Sequence, residues 1–210
     1  MEKSFLKVLR ELQISLKGYI EIEDRFTKID TIAGVDTSYQ NNLAKTCVCV
    51  LDYKSLEMEE KVVLEDKVNF AYKRNFLCFS EGPFVLKTIS KLKSSFDCLL
   101  VDGNGILHPQ NMGLATFLGI ILKKPTIGVA KNLLLGSFLN LGKERGDFSY
   151  IRYRGKILGM ALRTKKDTKE LYISVGWGIS LEKAKKIVLD TCIYKIPQPL
   201  RLAHMYSKIG

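Results

Sequence analysis

This chain is poor in several things that would define a site or a compartment. It has two histidines in 210 residues, and its five cysteines (47, 49, 78, 98 and 192) form no Cys-x-x-Cys pair. An odd number of unpaired cysteines excludes a disulfide framework. Four of them sit among apolar neighbours, which is the pattern of reduced core thiols in a cytoplasmic protein. No apolar run reaches the ~20 residues that cross a bilayer, so no membrane span is expected. The first 16 residues are amphipathic and carry acids, and they lack the long apolar region and small-residue cleavage site of a signal peptide. Glycines 103, 105, 113, 119, 128 and 136 fit neither G-x-G-x-x-G nor G-x-x-x-x-G-K-[ST], which excludes an NTPase and a nucleotide cofactor. There are no repeats, low-complexity tracts or linkers, so residues 1–210 read as a single domain.

What the chain does have is apolar residues and positive charge. Hydrophobic residues make up 46% of it, enough for a real core. Its net charge is +11 and its pI is about 9.4. That balance favours a polyanionic partner, nucleic acid before an anionic membrane, although charge alone also fits a solvated lysine-rich surface. A monomer is expected.

Periodicity places the elements. Residues 3–16 follow helical spacing. Residues 31–39, 46–53 and 59–68 read as strands in an antiparallel meander, with a turn at Asn41-Asn42. Residues 69–75 form a loop, and Pro83 suits the first turn of a helix. Strand 97–102, helix 111–122 and strand 125–130 make a parallel crossover unit. Strand and loop signals return at 149–163 and 170–176. A helix starts after Ser180, a suitable N-cap. The tail, 197–210, contains two prolines and is expected to be extended. A mixed α/β sheet, an antiparallel meander followed by parallel strands and flanked by helices, describes a ribonuclease H-like fold.

The acids stand out against this pattern. Asp36 and Asp102 each follow a buried apolar run, and Glu81 precedes a helix start. A lone Asp at a strand end is usually a turn former, and an acid near a helix N-terminus is stabilised by the dipole alone. Together the three are what an oxygen-liganded divalent metal needs. Lys131 closes the apolar run of GVAK and could meet negative charge on a phosphate. His204 could coordinate a metal, position water or move a proton. His108 reads as ordering the loop after Asp102, with substrate contact as the lesser alternative. Tyr72, beside Lys73 and Arg74, could stack on a nucleobase. The backbones around Gly82, Gly103 and Gly105 are candidates for reading a base edge.

Seven blocks carry a resemblance over nearly the whole chain: IAGVDTSY (32–39), FLCFSEGP (76–83), LLVDGNGILHPQNMGLA (99–115), PTIGVAKNLLLG (125–136), GKILGMALRT (155–164), LYISVG (171–176) and PQPLRLAH (197–204). In this order they resemble the endonuclease V family of repair nucleases. The resemblance implies a nuclease dependent on Mg²⁺, with Mn²⁺ able to substitute. It also implies action on deoxyinosine in DNA, or inosine in RNA, at the second phosphodiester bond 3′ to the lesion, leaving 3′-hydroxyl and 5′-phosphate ends. Asp36, Glu81 and Asp102 fall on its acidic metal positions, Lys131 and His204 on its further catalytic positions, and Tyr72 on the tyrosine of its strand-separating wedge. The chain departs from the family at the wedge, where Ala71-Tyr72-Lys73-Arg74 replaces the common PYIP. It departs again at Trp177, where histidine is frequent. A different ribonuclease H-like nuclease, of resolvase or RNase H type, and a non-catalytic nucleic-acid-binding protein are the alternatives on this fold.

Overall fold

A computed structural model describes residues 2–68 and 75–208. Tyr72 and its neighbours 71, 73 and 74 lie outside the described residues. The chain opens with helix α1 (Glu2–Ser15) and a 3-10 turn (Leu16–Tyr19). The meander follows as β1 (Thr31–Gln40), β2 (Leu43–Asp52) and β3 (Met58–Lys67). Helices α2 (Leu77–Ser80) and α3 (Gly82–Ile89) lead to β4 (Cys98–Asp102), α4 (Leu114–Leu122) and β5 (Thr126–Ala130). Then come β6 (Phe148–Tyr153), β7 (Lys156–Leu162), β8 (Leu171–Trp177), α5 (Leu181–Asp190) and α6 (Gln198–Lys208).

The strands form one eight-stranded sheet in the order β3-β2-β1-β4-β5-β8-β7-β6. The expected meander and crossover are both present: β1 and β2 are antiparallel, and β4 is parallel to β1 and to β5. Asn41 and Asn42 both take positive φ (50° and 63°), the geometry of a tight hairpin turn that asparagine tolerates. The signals at 149–163 resolve into the β6–β7 hairpin.

Alternation along the central strands divides the core in two. Ile32, Cys98 and Leu100 face one side with Leu200 and Ala203 of α6 and Ile187 and Val188 of α5. Ala33, Val35, Leu99 and Val101 face the other side with Val85 of α3 and Leu114 and Leu118 of α4. All five cysteines are buried free thiols. No described helix is long and apolar enough to cross a membrane.

The tail corrects the expectation of an extended segment, because residues 198–208 are helix α6. The prolines mislead there. Pro197 precedes the helix and Pro199 sits in its first turn, where no intrahelical N–H is needed. Leu200, Ala203 and Ser207 then bury one face at helical spacing. That face comes very close to β1: a Cβ at Gly34 would lie 2.3 Å from the Pro199 carbonyl carbon, so only glycine fits. Helix α4 likewise starts at Leu114 rather than 111, because Gly113 is an extended N-cap (ψ 177°).

Asp97 pins the entry to β1. Its Oδ2 accepts hydrogen bonds from the Asp30 amide (2.9 Å), the Thr31 amide (2.9 Å) and the Thr31 hydroxyl (3.1 Å). Burial opposes its charge, but these donors prevail and hold the carboxyl below its ordinary range. We expect Asp97→Ala to lower stability by about 1–3 kcal/mol at neutral pH, through the loss of these bonds. Because the folded pKa is depressed, the ionic part of that contribution is present above the unfolded pKa and is lost as pH falls through the folded one. Urea titrations of both proteins at neutral and strongly acidic pH check this. A gap that does not shrink in acid would remove the ionic part.

Candidate metal centre and nucleic-acid site

The site lies where the parallel part of the sheet ends. β1 pairs with β4 from Ile32↔Cys98 to Val35↔Val101. One residue further along each strand come Asp36 and Asp102. Strand alternation turns both carboxylates to the α6 side, in line with Ile32 and Leu100. Asp36 is not at the end of its strand, since the β1–β2 hairpin runs on to Gln40. Asp36 ends only the portion that pairs with β4.

Helix α6 brings up the third member. His204 Nδ1 stands 2.9 Å from Asp36 Oδ2, and the Ser207 hydroxyl donates to the same oxygen at 2.9 Å. Asp36, Asp102 and His204 can each offer one ligand atom within 4.8 Å of the others. Lys131 follows β5 directly, and its Nζ donates to Asp102 Oδ2 at 2.5 Å.

Glu81 arrives from the opposite layer, at the junction of α2 and α3. It makes no side-chain capping hydrogen bond to α3. Instead it is buried and takes a hydrogen bond from the Tyr39 hydroxyl. It stays outside the close Asp36–Asp102–His204 group, although the sequence grouped it with the two aspartates as a ligand. Burial pushes its pKa up to about 8, with Tyr39 opposing and the charges of Asp36 and Asp102 adding to the rise. Burial also raises Asp102, against the pull of Lys131. Asp36, Asp102 and Glu81, with the charge of Asp36 adding to the rise of the other two and with Lys131 and His204 beside Asp102, form an oxygen-rich donor set that fits a hard divalent cation.

Two cavities flank the acids on opposite layers. On the side of α2 and α4, a cavity of ≈ 100 Å³ is lined by Asn75, Leu77, Asn104, His108, Gly113 and Leu134, among others. Asn104, one of the lining residues, has its Oδ1 buried with no partner among the described residues. His108 orders this wall. Its Nε2 lies 3.1 Å from the Asn75 carbonyl, and its Nδ1 accepts from the Gln110 amide at 3.2 Å. Burial pushes its pKa down to about 4, so it is neutral at pH 7 and donates through Nε2. Gln13 of α1 braces the same wall, its amide donating to the carbonyls of Asn75 (2.9 Å) and Met112 (3.3 Å). Gly82, Gly103 and Gly105 do not line it. A Cβ at Gly82 would lie 2.7 Å from the Phe117 ring and one at Gly105 1.9 Å from the Val175 carbonyl, so close packing explains both glycines. On the α6 side, a cavity of ≈ 180 Å³ is lined by Asp102, Lys131, Ile196 and, from α6, Leu200, Arg201 and His204.

Sequence reasoning missed Ser207 and Tyr39, the groups that hold Asp36 and Glu81. Ser207 had one signal, its place three residues after His204 on a helical face, which the extended reading of the tail concealed. Trp177 pairs with Thr126 at the start of β5, the end of the sheet away from the acids. Its indole N–H donates to the Tyr19 carbonyl at 2.9 Å, a structural contact.

Carboxylates where the parallel pairing of a ribonuclease H-like sheet ends define a nuclease architecture, and comparison with known proteins agrees. The family model described as Endonuclease V matches residues 14–205. The Endonuclease V of Dictyoglomus turgidum is 43% identical over 199 residues, 94% of this chain and 87% of that protein. The catalytic domain of human Endonuclease V superposes with a TM-score of 0.92 at 30% identity, covering 98% of this chain and 95% of that one. A Ciona intestinalis Endonuclease V in complex with a 24mer DNA containing an inosine followed by a ribo-adenosine superposes with a TM-score of 0.84 at 26% identity, covering 98% and 97%. The chain belongs to the Endonuclease V family, and that membership makes it a nuclease.

Proposed function

We propose that this protein is a divalent-metal-dependent endonuclease that recognises deoxyinosine in DNA and cuts the second phosphodiester bond on its 3′ side. The observation that carries the reading is the convergence of Asp36, Asp102 and His204, with Lys131 on Asp102 and Glu81 behind. Asp36 and Asp102 would hold the cation, Mg²⁺ by the hardness of the donors, and His204 would complete or orient the set. A cation so held lowers the pKa of water and offsets charge at phosphorus. Ser207 and His204 fix the Asp36 carboxylate, and Tyr39 fixes Glu81. Glu81, its pKa pushed up to about 8 by burial, is placed to hold a proton beside the two aspartates. Lys131 meets the growing negative charge on the phosphate. The buried thiols support a reducing compartment such as the cytoplasm.

The lesion base is turned out of the stack into the cavity beside Asn104, at a cost of a few kcal/mol that is least for a weakly paired base. Hypoxanthine carries an N1–H donor, which the unpartnered Asn104 Oδ1 can accept. Adenine presents a bare N1 acceptor there, and two acceptors left facing each other cost about 1–3 kcal/mol. Mapping product ends on a labelled duplex with one deoxyinosine, in Mg²⁺, tests the assignment. The expected product is a nick at the second 3′ bond, with the inosine-free control uncut. A nick at the first bond, or equal cutting of the control, would overturn it, and the matched RNA pair tests the ribonucleic alternative.

A further inference from the structure

We propose that the cleft on the α6 side of the acids, with the α5–α6 loop that contributes Ile196 to it, seats the nucleotide immediately 3′ of the cut. Arg201 takes its phosphate and Tyr194 stacks on its base. The inference rests on the substrate reading above and adds the subsite that holds the strand beyond the nick.

The first support is composition. The cleft is lined by apolar Val129, Ile196 and Leu200 together with Asp102, Lys131, Arg201 and His204. A cleft whose lining mixes apolar side chains with two cations suits a sugar and base edge carrying a phosphate. The second support is how Arg201 is held. Its Nε donates to Gln198 Oε1 at 3.0 Å, and its guanidinium lies 5.1 Å from the centre of the Tyr194 ring. The terminal nitrogens have no partner among the described residues, so a preorganised fork is left for a phosphate. The third support is the loop between α5 and α6, where Ile193 and Tyr194 are 59% and 53% exposed. An exposed aromatic ring within cation–π distance of Arg201, which itself lines the cleft, is a platform for a base.

Charge points the same way. Lys195 belongs to this loop, and Lys169 reaches Asn132, next to Lys131, at 3.4 Å. Burial, then the nearby charge of Lys169, lowers the Lys195 pKa, with Lys131 adding to the effect. Such crowding of cations next to the acids is relieved by a strand of phosphates. Direction follows from the layers. The Asn104 cavity, which takes the lesion base, lies on the α4 side, and the acids stand between it and this cleft. A strand cut 3′ of its lesion runs from that cavity across the acids and leaves through the cleft.

The experiment uses the full chain, fluorescein-labelled DNA with one deoxyinosine, and the same DNA with an abasic residue at the second nucleotide 3′ of the lesion. Binding is read by anisotropy without divalent cation and cleavage in Mg²⁺. For the wild type, the abasic change should weaken binding roughly five- to a hundredfold, the range of one base–aromatic stack. Tyr194→Ala should lose as much on the intact strand and almost nothing further on the abasic one. Arg201→Gln should reduce the magnitude of the log–log salt slope by roughly 0.7 to 1. An abasic change without effect on the wild type, or a Tyr194→Ala variant as sensitive to it as the wild type, overturns the subsite. If the wild type ignores inosine altogether, the substrate reading fails by itself. Both variants must then still weaken binding of inosine-free DNA, and unchanged affinity there overturns the subsite as well.

Discussion

Asp36→Asn and Asp102→Asn are each expected to abolish cleavage, by about 10³-fold or more, while the protein stays folded. The size follows from what an amide cannot do. It keeps the shape of the carboxylate and can still accept from His204 and Ser207 or from Lys131, so packing changes little. It removes a full negative charge from the set that would hold a divalent cation. A single preorganised electrostatic contact in a closed site is worth roughly 10²–10³ in rate, and a lost cation forfeits several at once. Stability should hold or rise, because Glu81 and Asp102 are already pushed up by burial and by neighbouring acids, and removing one charge relieves the others. Single-turnover cleavage beside thermal denaturation checks both halves. Near-normal cutting by either variant would remove the assigned centre, and a collapsed melting transition would make the loss uninformative about chemistry.

Lys131→Met should separate chemistry from cation binding. Lys131 is partly exposed and its ammonium pairs with Asp102. Removing it leaves the acids with less positive charge, so a divalent cation should bind as tightly or more tightly. The phosphate loses the cation that meets its charge, and cleavage should fall about 10²- to 10³-fold. Titration calorimetry with Mg²⁺ and single-turnover rates read the two effects independently. A parallel loss of affinity and rate would mean that Lys131 orders the centre rather than acting on the phosphate.

Much of this centre was legible in the sequence because Asp36 and Asp102 each break a buried strand pattern with a charge, and a charge at the end of an apolar run has to face something. Glu81 was legible as an acid at a helix start, but its burial was not, since that comes from a layer packed on it across the sheet. His204 could be placed only through the RLAH resemblance. Nothing local announces that a residue on the last helix meets one on the first strand, 168 positions away. The same long-range contact hid Ser207. The tail was misread because proline is weighed as a breaker, whereas in a first turn it is an initiator. The helical spacing of Leu200, Ala203 and Ser207 was the better guide. On α1 the apolar residues gave the helix but not its buried face, which is Leu9 and Gln13, while Phe5, Val8 and Leu12 are about half exposed.

The close seat of α6 on Gly34 has a consequence for a growing chain. Asp36 leaves the ribosome early and waits for His204, and at about 5–20 residues per second that interval is roughly 10–30 s. Through that time the aspartates have neither their imidazole nor the hydroxyl of Ser207, and the cleft beside Arg201 does not exist. A nascent molecule therefore has no working edge to turn on nearby nucleic acid, and competence arrives in one late docking event. Stalled chains that stop short of α6 should accordingly bind a divalent cation at the acids more weakly than chains extended past Lys208 and clear of the exit tunnel.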